Sequence, residues 1–560
     1  MAIQGGVGKR LRPARQVMRL ARLGSFHRTR LSFMPALLRQ LRQERWGFAR
    51  PLWDVDAAGV GQALYTARGP RRTYSLVAFA HDLPADMRSD RVIATAWDCT
   101  FCLFDGIPDR HDLERLAAQV PKQEAGRLTD RELSLSRANR SVRLWDYVVD
   151  ALAQGRQPEE AMIRKVGYLM RTTAVYGSGK FGAADRAVIK DRKVLALPFR
   201  AELLSVYLIR AFVMDLVEHC ARAKGGDRAV ALTPSLRRLF GIGNSTGLGM
   251  APFLVNHPIL LHAWIMAREQ ALARVRAVTR PTQEEREAFL QALDRTRADI
   301  HQWHCDHPLQ KAKIADLRKD MGVLMRHCQT QGFDQVNPWD ALIYWSEGHL
   351  TLEGQEQLVS LVIEPYGWLV DDLNASMSAD EEAGFSINGG MHVKTLKGLI
   401  AKHYDWALAI DFSNRKENAK FWYVSQEKME PRLGLRYEEP GSDMELPLGI
   451  ARDMQALAHA LEVYSPTRLV ADFLLAKPQH RHVVRRVQFI ERYPYAEIRD
   501  NLLAQSLNPL DLLRCKLSFF GATRFDPRSD RWLRICMYEN EPFPYELQRG
   551  HHNNPSVHVV

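Results

Sequence analysis

The 560-residue chain is too long for a single hydrophobic core, and its length predicts roughly three to four domains. A hydrophobic fraction of 46% with 25% charged residues is typical of globular proteins and argues against an intrinsically disordered chain. The net charge of +12 is concentrated at the N-terminus, where residues 1–50 hold Lys9, eleven arginines and a single acid, Glu44. The rest of the chain is nearly neutral, which argues against a nucleic-acid-binding body.

The cysteine content and the N-terminal sequence bear on localisation. Seven cysteines without a disulfide-like spacing predict free thiols in a reducing compartment. No apolar run approaches the roughly 20 residues that span a bilayer, and the N-terminus lacks the apolar core of a secretory signal. We therefore predict a cytoplasmic protein, although the Arg-rich, acid-poor start of the chain also fits a mitochondrial targeting segment.

The order of segments predicts a helix-dominated α+β fold, with a central helical region flanked by smaller mixed α/β segments. We divide the chain into a basic N-terminal arm (residues 1–50), a mixed segment (51–130), a helical domain (131–380) and an α+β domain (381–560). In the arm, leucines alternate with arginines as in a basic amphipathic helix interrupted by Gly24 and Pro35. Such an arm either contacts a membrane surface or nucleic acid, or packs its leucines on the body with its arginines in water.

In the segment 51–130, β-branched and aromatic residues predict strands at 73–80 and 91–96, followed by a helix at 111–120. Cys99 and Cys102 form a CxxC pair. No second pair follows at zinc-finger spacing, and the flanking residues are typical of a buried strand. We interpret the pair as two core thiols.

Helical spacing and capping residues predict the elements of the remaining chain. Helices are expected at 141–152, 158–170, 201–223, 234–240, 258–277, 282–303, 309–328, 338–347, 352–370, 389–408 and 454–461. Strands are expected at 419–424, 483–491 and 532–538.

A glycine-rich stretch at 241–250 is the strongest candidate binding element. It contains four glycines together with Asn244, Ser245 and Thr246. It follows a helix and lacks the Lys-Ser/Thr of a Walker A loop, so it is neither a dinucleotide fingerprint nor a nucleotide loop. Its backbone N–H groups could hold a phosphate or carboxylate. The alternative is a helix crossing at which glycines allow close approach.

A second glycine-rich stretch, 177–182, matches G-x-G-x-x-G in spelling only, because its surroundings do not alternate strand and helix. Here Arg171, Ser178 and Lys180 are candidate anion ligands, with an ordinary turn as the alternative. Asn388, ahead of Gly389 and Gly390, is a further candidate ligand, or simply caps a helix.

The polar stretch 411–418 supplies candidate acid/base residues in Asp411 and Glu417, and Arg415 as an anion clamp. Its alternative is a solvated surface loop. The densest metal-capable cluster is His301, His304, Cys305 and His307, three of which share one helix face if the helix continues through 305. The helix dipole also favours histidines at a C-terminus, so this cluster is the weaker hypothesis.

These patterns predict an enzyme that acts on a small anionic substrate, bound where the loops 177–182, 241–250 and 411–418 meet. Common hydrolase and metalloprotease motifs are absent, which argues against those enzyme classes. The reaction type and any cofactor are not predictable from the sequence. Two alternatives stay open. One is a non-catalytic protein whose arm docks on nucleic acid or an anionic membrane, and the other is a metalloenzyme that uses the histidine cluster.

Overall fold

In the computed structural model, the described residues are 11–82, 98–121, 129–172, 192, 194–195, 197, 199–247, 258–303, 305, 308–377, 385–413, 422–425, 431–433, 445–447, 450–499, 509–527 and 532–549. No helix within these ranges has both the length and the hydropathy needed to cross a bilayer.

Helices make up most of the regular structure. In chain order they are α1 (Ala14–Val17), α2 (Leu20–Leu23), α3 (Phe33–Gln43), α4 (Arg110–Gln119), α5 (Trp145–Ala153), α6 (Glu160–Val166), α7 (Arg200–Gly225), α8 (Pro234–Arg238), α9 (Pro258–Arg276), α10 (Gln283–Gln302), α11 (Pro308–Gln331), α12 (Pro338–His349), α13 (Leu352–Ile363), α14 (Gly367–Val370), α15 (Val393–His403), α16 (Asp405–Leu408), α17 (Ile450–Glu462), α18 (Val470–Ala476), α19 (Arg481–Arg492), α20 (Pro509–Phe520) and α21 (Pro544–Arg549). Short 3-10 helices lie at Gly226–Arg228, Glu364–Tyr366, Asp371–Ser376 and Pro478–His480.

Within the described ranges, the strands form two sheets. They are β1 (Gly47–Val55), β2 (Gly61–Arg68), β3 (Thr73–Ala80), β4 (Cys99–Asp105), β5 (Glu132–Arg140), β6 (Tyr168–Thr172), β7 (Gly241–Gly247), β8 (Trp422–Ser425), β9 (Pro431–Leu433), β10 (Glu445–Pro447), β11 (Arg524–Pro527) and β12 (Trp532–Met537). The larger sheet has the order β1-β2-β3-β4-β5-β6-β7-β12-β11, and the smaller has the order β10-β8-β9. The predicted α+β fold with a helical majority is confirmed.

The chain divides into two compact units. The helical unit comprises Met1–His27, Thr246–Lys516 and Pro527–Leu533, and the sheet unit comprises Arg28–Ser245, Leu517–Asp526 and Arg534–Val560. Strands β1 to β6 pair antiparallel with their neighbours, and β6 pairs in parallel with β7.

In the sheet unit, helices cover both faces of the large sheet. The long helix α7 packs on one face, where Phe212 contacts the rings of Tyr65 and Phe101. On the other face Leu116 of α4 joins an apolar cluster built from alternate residues of β2 to β5. Because strand side chains alternate between faces, the two layers draw on different residues of the same strands.

In the helical unit, one core forms where α15, α17, α18 and α19 meet. Its apolar residues include Leu396, Leu457, Phe473 and Val487. The prediction of a strand at 483–491 is wrong, since these residues belong to α19. Val483, Val484, Val487 and Ile490 are buried at a spacing of three to four residues, which is the helical period and outweighs the strand preference of β-branched residues.

Local patterns predicted several elements well. The predicted strand at 73–80 is β3, and the predicted helix at 111–120 is α4 shifted by one residue. Cys99 and Cys102 lie buried in β4, which confirms them as core thiols. Three residues apart on a strand, they point to opposite faces of the sheet. Burial raises the pKa of both thiols, so both are protonated at neutral pH.

The glycine-rich stretch is not a loop over its first seven residues, because Gly241–Gly247 is strand β7. A Cβ atom at position 241 would lie 2.4 Å from Met537 O, and one at position 243 would lie 2.7 Å from the Tyr168 ring. These two glycines therefore allow close packing of a strand.

Replacing Gly241 with alanine is expected to lower the free energy of unfolding by about 1–3 kcal/mol, because backbone atoms would have to move. The matched control is Gly398→Ala on α15, where an added Cβ meets nothing within 4 Å. That change is expected to raise stability by about 0.5–1 kcal/mol through helix propensity. Chemical denaturation of both variants measures the difference, and equal stabilities would contradict this account of Gly241.

Candidate functional site

Three neighbouring strands of the sheet unit, together with the residue that follows a fourth, bring a set of polar side chains to one face. Thr100 of β4 is the register partner of Arg137 on β5, and Asn139 of β5 is the partner of Arg171 on β6. Arg137 and Asn139 are two residues apart, so both point to the same side of the sheet. With His81, which follows β3, these residues form what we call the polar face: His81, Thr100, Arg137, Asn139 and Arg171.

The polar face continues the apolar surface beneath α4. Leu135 belongs to the apolar cluster with Cys102 and Val77, and Arg137 follows it two residues later on β5. The same side of the sheet thus changes from apolar to polar along β4 and β5. Arg137, Asn139 and Arg171 are each half-buried. A partly enclosed polar surface beside an apolar core is typical of ligand sites.

His81 is held at one end of this surface. Its backbone N–H donates to Asp98 O at 2.7 Å, and its ring Nε2 lies 3.1 Å from Thr100 Oγ1. Burial lowers the pKa of His81, while the charge of Asp98 acts in the opposite direction. The ring is therefore neutral at pH 7 and can accept a proton.

Arginines supply the positive charge. Burial lowers the pKa of Arg137 to about 10, which still leaves the guanidinium protonated at neutral pH. Arg171 lies diagonally across from it on the adjacent strand, because its direct partner is Asn139. Diagonal neighbours on a sheet have Cβ atoms about 7–8 Å apart, within the combined reach of two arginine side chains.

The parallel pair β6–β7 borders the polar face. Arg171 has Gly243 as its register partner on β7, and the next residue, Asn244, is fully buried at 0% exposure. Asn244 Nδ2 donates to Thr172 O at 2.7 Å. Both strands run in the same direction, so their carboxyl ends meet at one edge, the place where α/β sheets commonly bind ligands.

The chain matches no family model, no curated protein and no solved structure. A function can therefore be proposed only from the geometry of the described residues.

Of the predicted anion ligands, Arg171 and Asn244 lie on the adjoining strands β6 and β7, where the register partner of Arg171 is Gly243. Ser245 and Thr246 follow on β7, where only their backbone is described. Ser178, Lys180, Arg415 and Glu417 lie outside the described residues. The shared cleft of loops 177–182, 241–250 and 411–418 stays a prediction.

Asn388 does not cap a helix as predicted. Its Oδ1 accepts from Gly390 N at 3.0 Å within a turn, and α15 begins only at Val393 after His392. Its backbone is held by Gln488, which accepts from Asn388 N and donates to Asn388 O. These contacts give Asn388 a structural role in a turn.

The predicted acid/base residue Asp411 is exposed, and its Oδ1 accepts from both the backbone N and the hydroxyl of Ser413. This local turn matches the alternative of a surface loop, and a catalytic role for Asp411 stays a prediction. Of the predicted metal ligands, His301 is exposed and Cys305 half-buried, while His304 and His307 lie outside the described residues. Within the described ranges no three His, Cys, Asp or Glu side chains are grouped as a metal site would need.

The packing alternative expected the arginines of the basic arm to lie in water. Two of them do not. Arg12 and Arg22 are buried, where they form the N-terminal ion-pair cluster with Arg268, Glu269 and Glu356. Arg12 lies 2.6 Å from both glutamates, and Arg22 and Arg268 each lie 2.6 Å from Glu356. Glu356 thus pairs with three guanidinium groups inside the helical unit.

A second buried ion pair lies on the same helix. Glu353 of α13 binds Arg514, and its Oε1 is 3.3 Å from His27 Nε2. Burial alone would raise the pKa of Glu353, but the Arg514 charge and the His27 hydrogen bond lower it to about 2. Glu353, Glu356 and Ser360 recur at helical spacing, so α13 presents a buried polar stripe. That spacing is the one signal in the sequence that points to this network.

Sequence patterns missed His81, Thr100, Arg137 and Asn139. Position 137 lies in a stretch of alternating serine, leucine and charged residues that carries no motif. Apart from Asn139, its neighbours on the polar face come from other segments of the chain. Alternation within residues 132–140, with Leu133 and Leu135 on one side, was the available signal for a strand.

Proposed function

We propose that the chain is an enzyme that binds a small anionic substrate on the polar face of its sheet unit. The observation that carries the proposal is the pairing of β4, β5 and β6, which aligns Arg137 and Arg171 on one side of the sheet. The proposed binding site lies on a strand surface, whereas the sequence analysis predicted it in glycine-rich loops.

Two guanidinium groups favour an oxyanion ligand. Each arginine offers a planar fork of donors that matches a phosphate or carboxylate. Partial burial strengthens the attraction, because the effective dielectric constant is lower than in water. Asn139, the register partner of Arg171, adds an amide that can donate to the same ligand.

We assign the proton-accepting role to His81. Its ring is neutral at pH 7 because burial lowers its pKa, and it lies next to Thr100, the register partner of Arg137. This position makes His81 a better candidate than Asp411, whose carboxylate is engaged in an exposed turn. Glu417 stays a sequence-based candidate. The geometry supports proton transfer as a step, without specifying the reaction.

The localisation of the protein and the role of its helical region are also proposals. Buried, protonated thiols at Cys99, Cys102 and Cys515 are consistent with a cytoplasmic protein. We regard the helical region as a scaffold. Docking of residues 1–50 on nucleic acid or an anionic membrane is the alternative function, and the burial of Arg12 and Arg22 leaves fewer arginines for it.

A thermal-shift screen of phosphorylated and carboxylated metabolites tests the proposal. A compound at about 100 times its Kd is expected to stabilise the wild-type protein by about 2.7 kcal/mol. Arg137→Gln and Arg171→Gln are each expected to weaken its binding at least tenfold, since a charged hydrogen bond contributes about 1.5–3 kcal/mol.

The matched control is Arg110→Gln on α4, whose side chain is 93% exposed and pairs only with the neighbouring Glu114 in the described part of the chain. This variant should bind like wild type. If no compound stabilises the protein, or if all three variants bind equally, the proposal is wrong.

A further inference from the structure

We infer that the outer surface of α18 and α19 in the helical unit binds duplex DNA. The surface comprises α18, the turn 477–480 and α19, and we call residues 470–492 the basic helix pair. The polar face belongs to the sheet unit, so this inference goes beyond the proposed function and does not depend on it.

The basic helix pair is a local concentration of positive charge in a nearly neutral body. Residues 470–492 hold five lysines and arginines against two acids, Asp472 and Glu491. Asp472 pairs with Arg468, outside the helix pair. Lys477 and Arg481 are exposed and have no acid partner within the described residues. Their charges are therefore available to an anion outside the chain.

The two helices have the arrangement of a helix-turn-helix. Helix α18 ends at Ala476, a 3-10 helix at Pro478–His480 forms most of the turn, and α19 begins at Arg481. Phe473 of α18 and Val484 of α19 join one apolar core with residues of α17. In DNA-binding proteins, two helices joined by so short a turn place the start of the second helix in the major groove.

The exposed part of α19 is its start. Arg481 and His482 are exposed, whereas Val483, Val484 and Val487 are buried. Toward the other end of the helix, aromatic rings enclose Phe489: the ring of Phe385 lies 5.0 Å away and the ring of Tyr493 lies 4.2 Å away. The accessible first turn is the part of a recognition helix that contacts base edges.

Positive charge also lies at the start of α18. Lys394 is exposed, and its backbone N donates to Pro466 O at 3.0 Å, which places it beside the segment that leads into α18. Seven residues of helix separate this end from Lys477, a span of about 10 Å. Phosphates follow one another about every 3.4 Å along one strand of DNA, so cations at both ends of α18 can contact the same strand.

The burial of the apolar face of α19 favours DNA over a membrane. An amphipathic helix on a bilayer needs its apolar face against lipid, but that face of α19 lies in the core. Leu475 is 84% exposed, yet single aliphatic side chains are common on protein surfaces. Duplex RNA fits less well than DNA, because its deep, narrow major groove does not admit a helix.

Fluorescence anisotropy of the full chain with a labelled duplex of about 20 base pairs, two turns of B-DNA, tests the inference. Lys477→Gln combined with Arg481→Gln is expected to weaken binding at least tenfold, because two phosphate contacts are lost. The slope of log Kobs against log salt concentration should also fall in magnitude by about two, one for each lost contact. The matched control, Arg15→Gln combined with Arg110→Gln, removes two exposed charges elsewhere and should bind like wild type.

Two comparisons of the wild-type chain need no variant. An RNA duplex of the same length and vesicles of phosphatidylserine and phosphatidylcholine should each bind at least tenfold more weakly than the DNA. No binding of DNA at about 50 mM salt overturns the inference, as does RNA or vesicle binding that equals DNA binding. Equal losses in the two double variants would place the DNA elsewhere on the chain and also overturn it.

Discussion

Replacing Glu356 with glutamine is expected to lower the free energy of unfolding by about 3–5 kcal/mol. Glu356 is fully buried and lies 2.6 Å from each of Arg12, Arg22 and Arg268. Burial alone would raise the pKa of Glu356, but the three arginines lower it well below its ordinary value. Without that charge, Arg12 and Arg268 would share the single carboxylate of Glu269, and Arg22 would lose the carboxylate of its ion pair.

Urea denaturation monitored by circular dichroism measures this loss. The matched control is Glu462→Gln at the end of α17, since Glu462 is mostly exposed and its described ion pair is with His459. That variant should stay within about 0.5 kcal/mol of wild type. A Glu356→Gln protein as stable as the Glu462→Gln protein would show that the buried cluster contributes little.

Removing residues 1–27 is expected to prevent the helical unit from folding. The segment buries Val17, Met18, Leu20, Leu23 and Phe26 at 3% exposure or less. At about 1.5–3 kcal/mol for each buried side chain, the loss approaches the whole stability of a typical domain. The deletion also removes Arg12 and Arg22, leaving Glu269 and Glu356 with Arg268 alone in the described cluster.

Limited proteolysis of the truncated chain checks this expectation, with rapid cleavage within residues 258–499 as the expected result. Two point variants identify the cause. Arg12→Gln combined with Arg22→Gln should reproduce much of the destabilisation, whereas Arg15→Gln at an exposed position should not. A truncated protein that resists proteolysis as well as the full chain would contradict an integral role for this segment and support a separable arm.

The fold could be predicted where local patterns reflect local contacts. The β-branched and aromatic residues of β3 and the apolar residues of α7 identify these elements correctly, since nearly every side chain of β3 and most of those of α7 are buried. The stretch that contains Gly241 and Gly243 was predicted to be a loop because it is rich in glycine and small polar residues. Their true constraint is the close approach of Met537 and Tyr168, which lie far from them along the chain.

The candidate site was less predictable than the fold. Arg171 and Asn244 were found because glycine-rich stretches lie beside them. Arg137 and Asn139 acquire their meaning only from the register of β5 with β4 and β6, and register depends on pairing between distant segments. Likewise, nothing local to Arg12 indicates partners 257 and 344 residues away.

Arginine-selective labelling with 4-hydroxyphenylglyoxal, read by peptide mass spectrometry, tests the central claim most directly. The probe is the tightest-binding anion from the screen. Anion binding on the polar face predicts that a saturating anion slows labelling of Arg137 and Arg171 at least threefold and leaves the exposed Arg110 unchanged. Unchanged labelling of Arg137 and Arg171 while the anion is bound would show that it binds elsewhere, and would contradict the account.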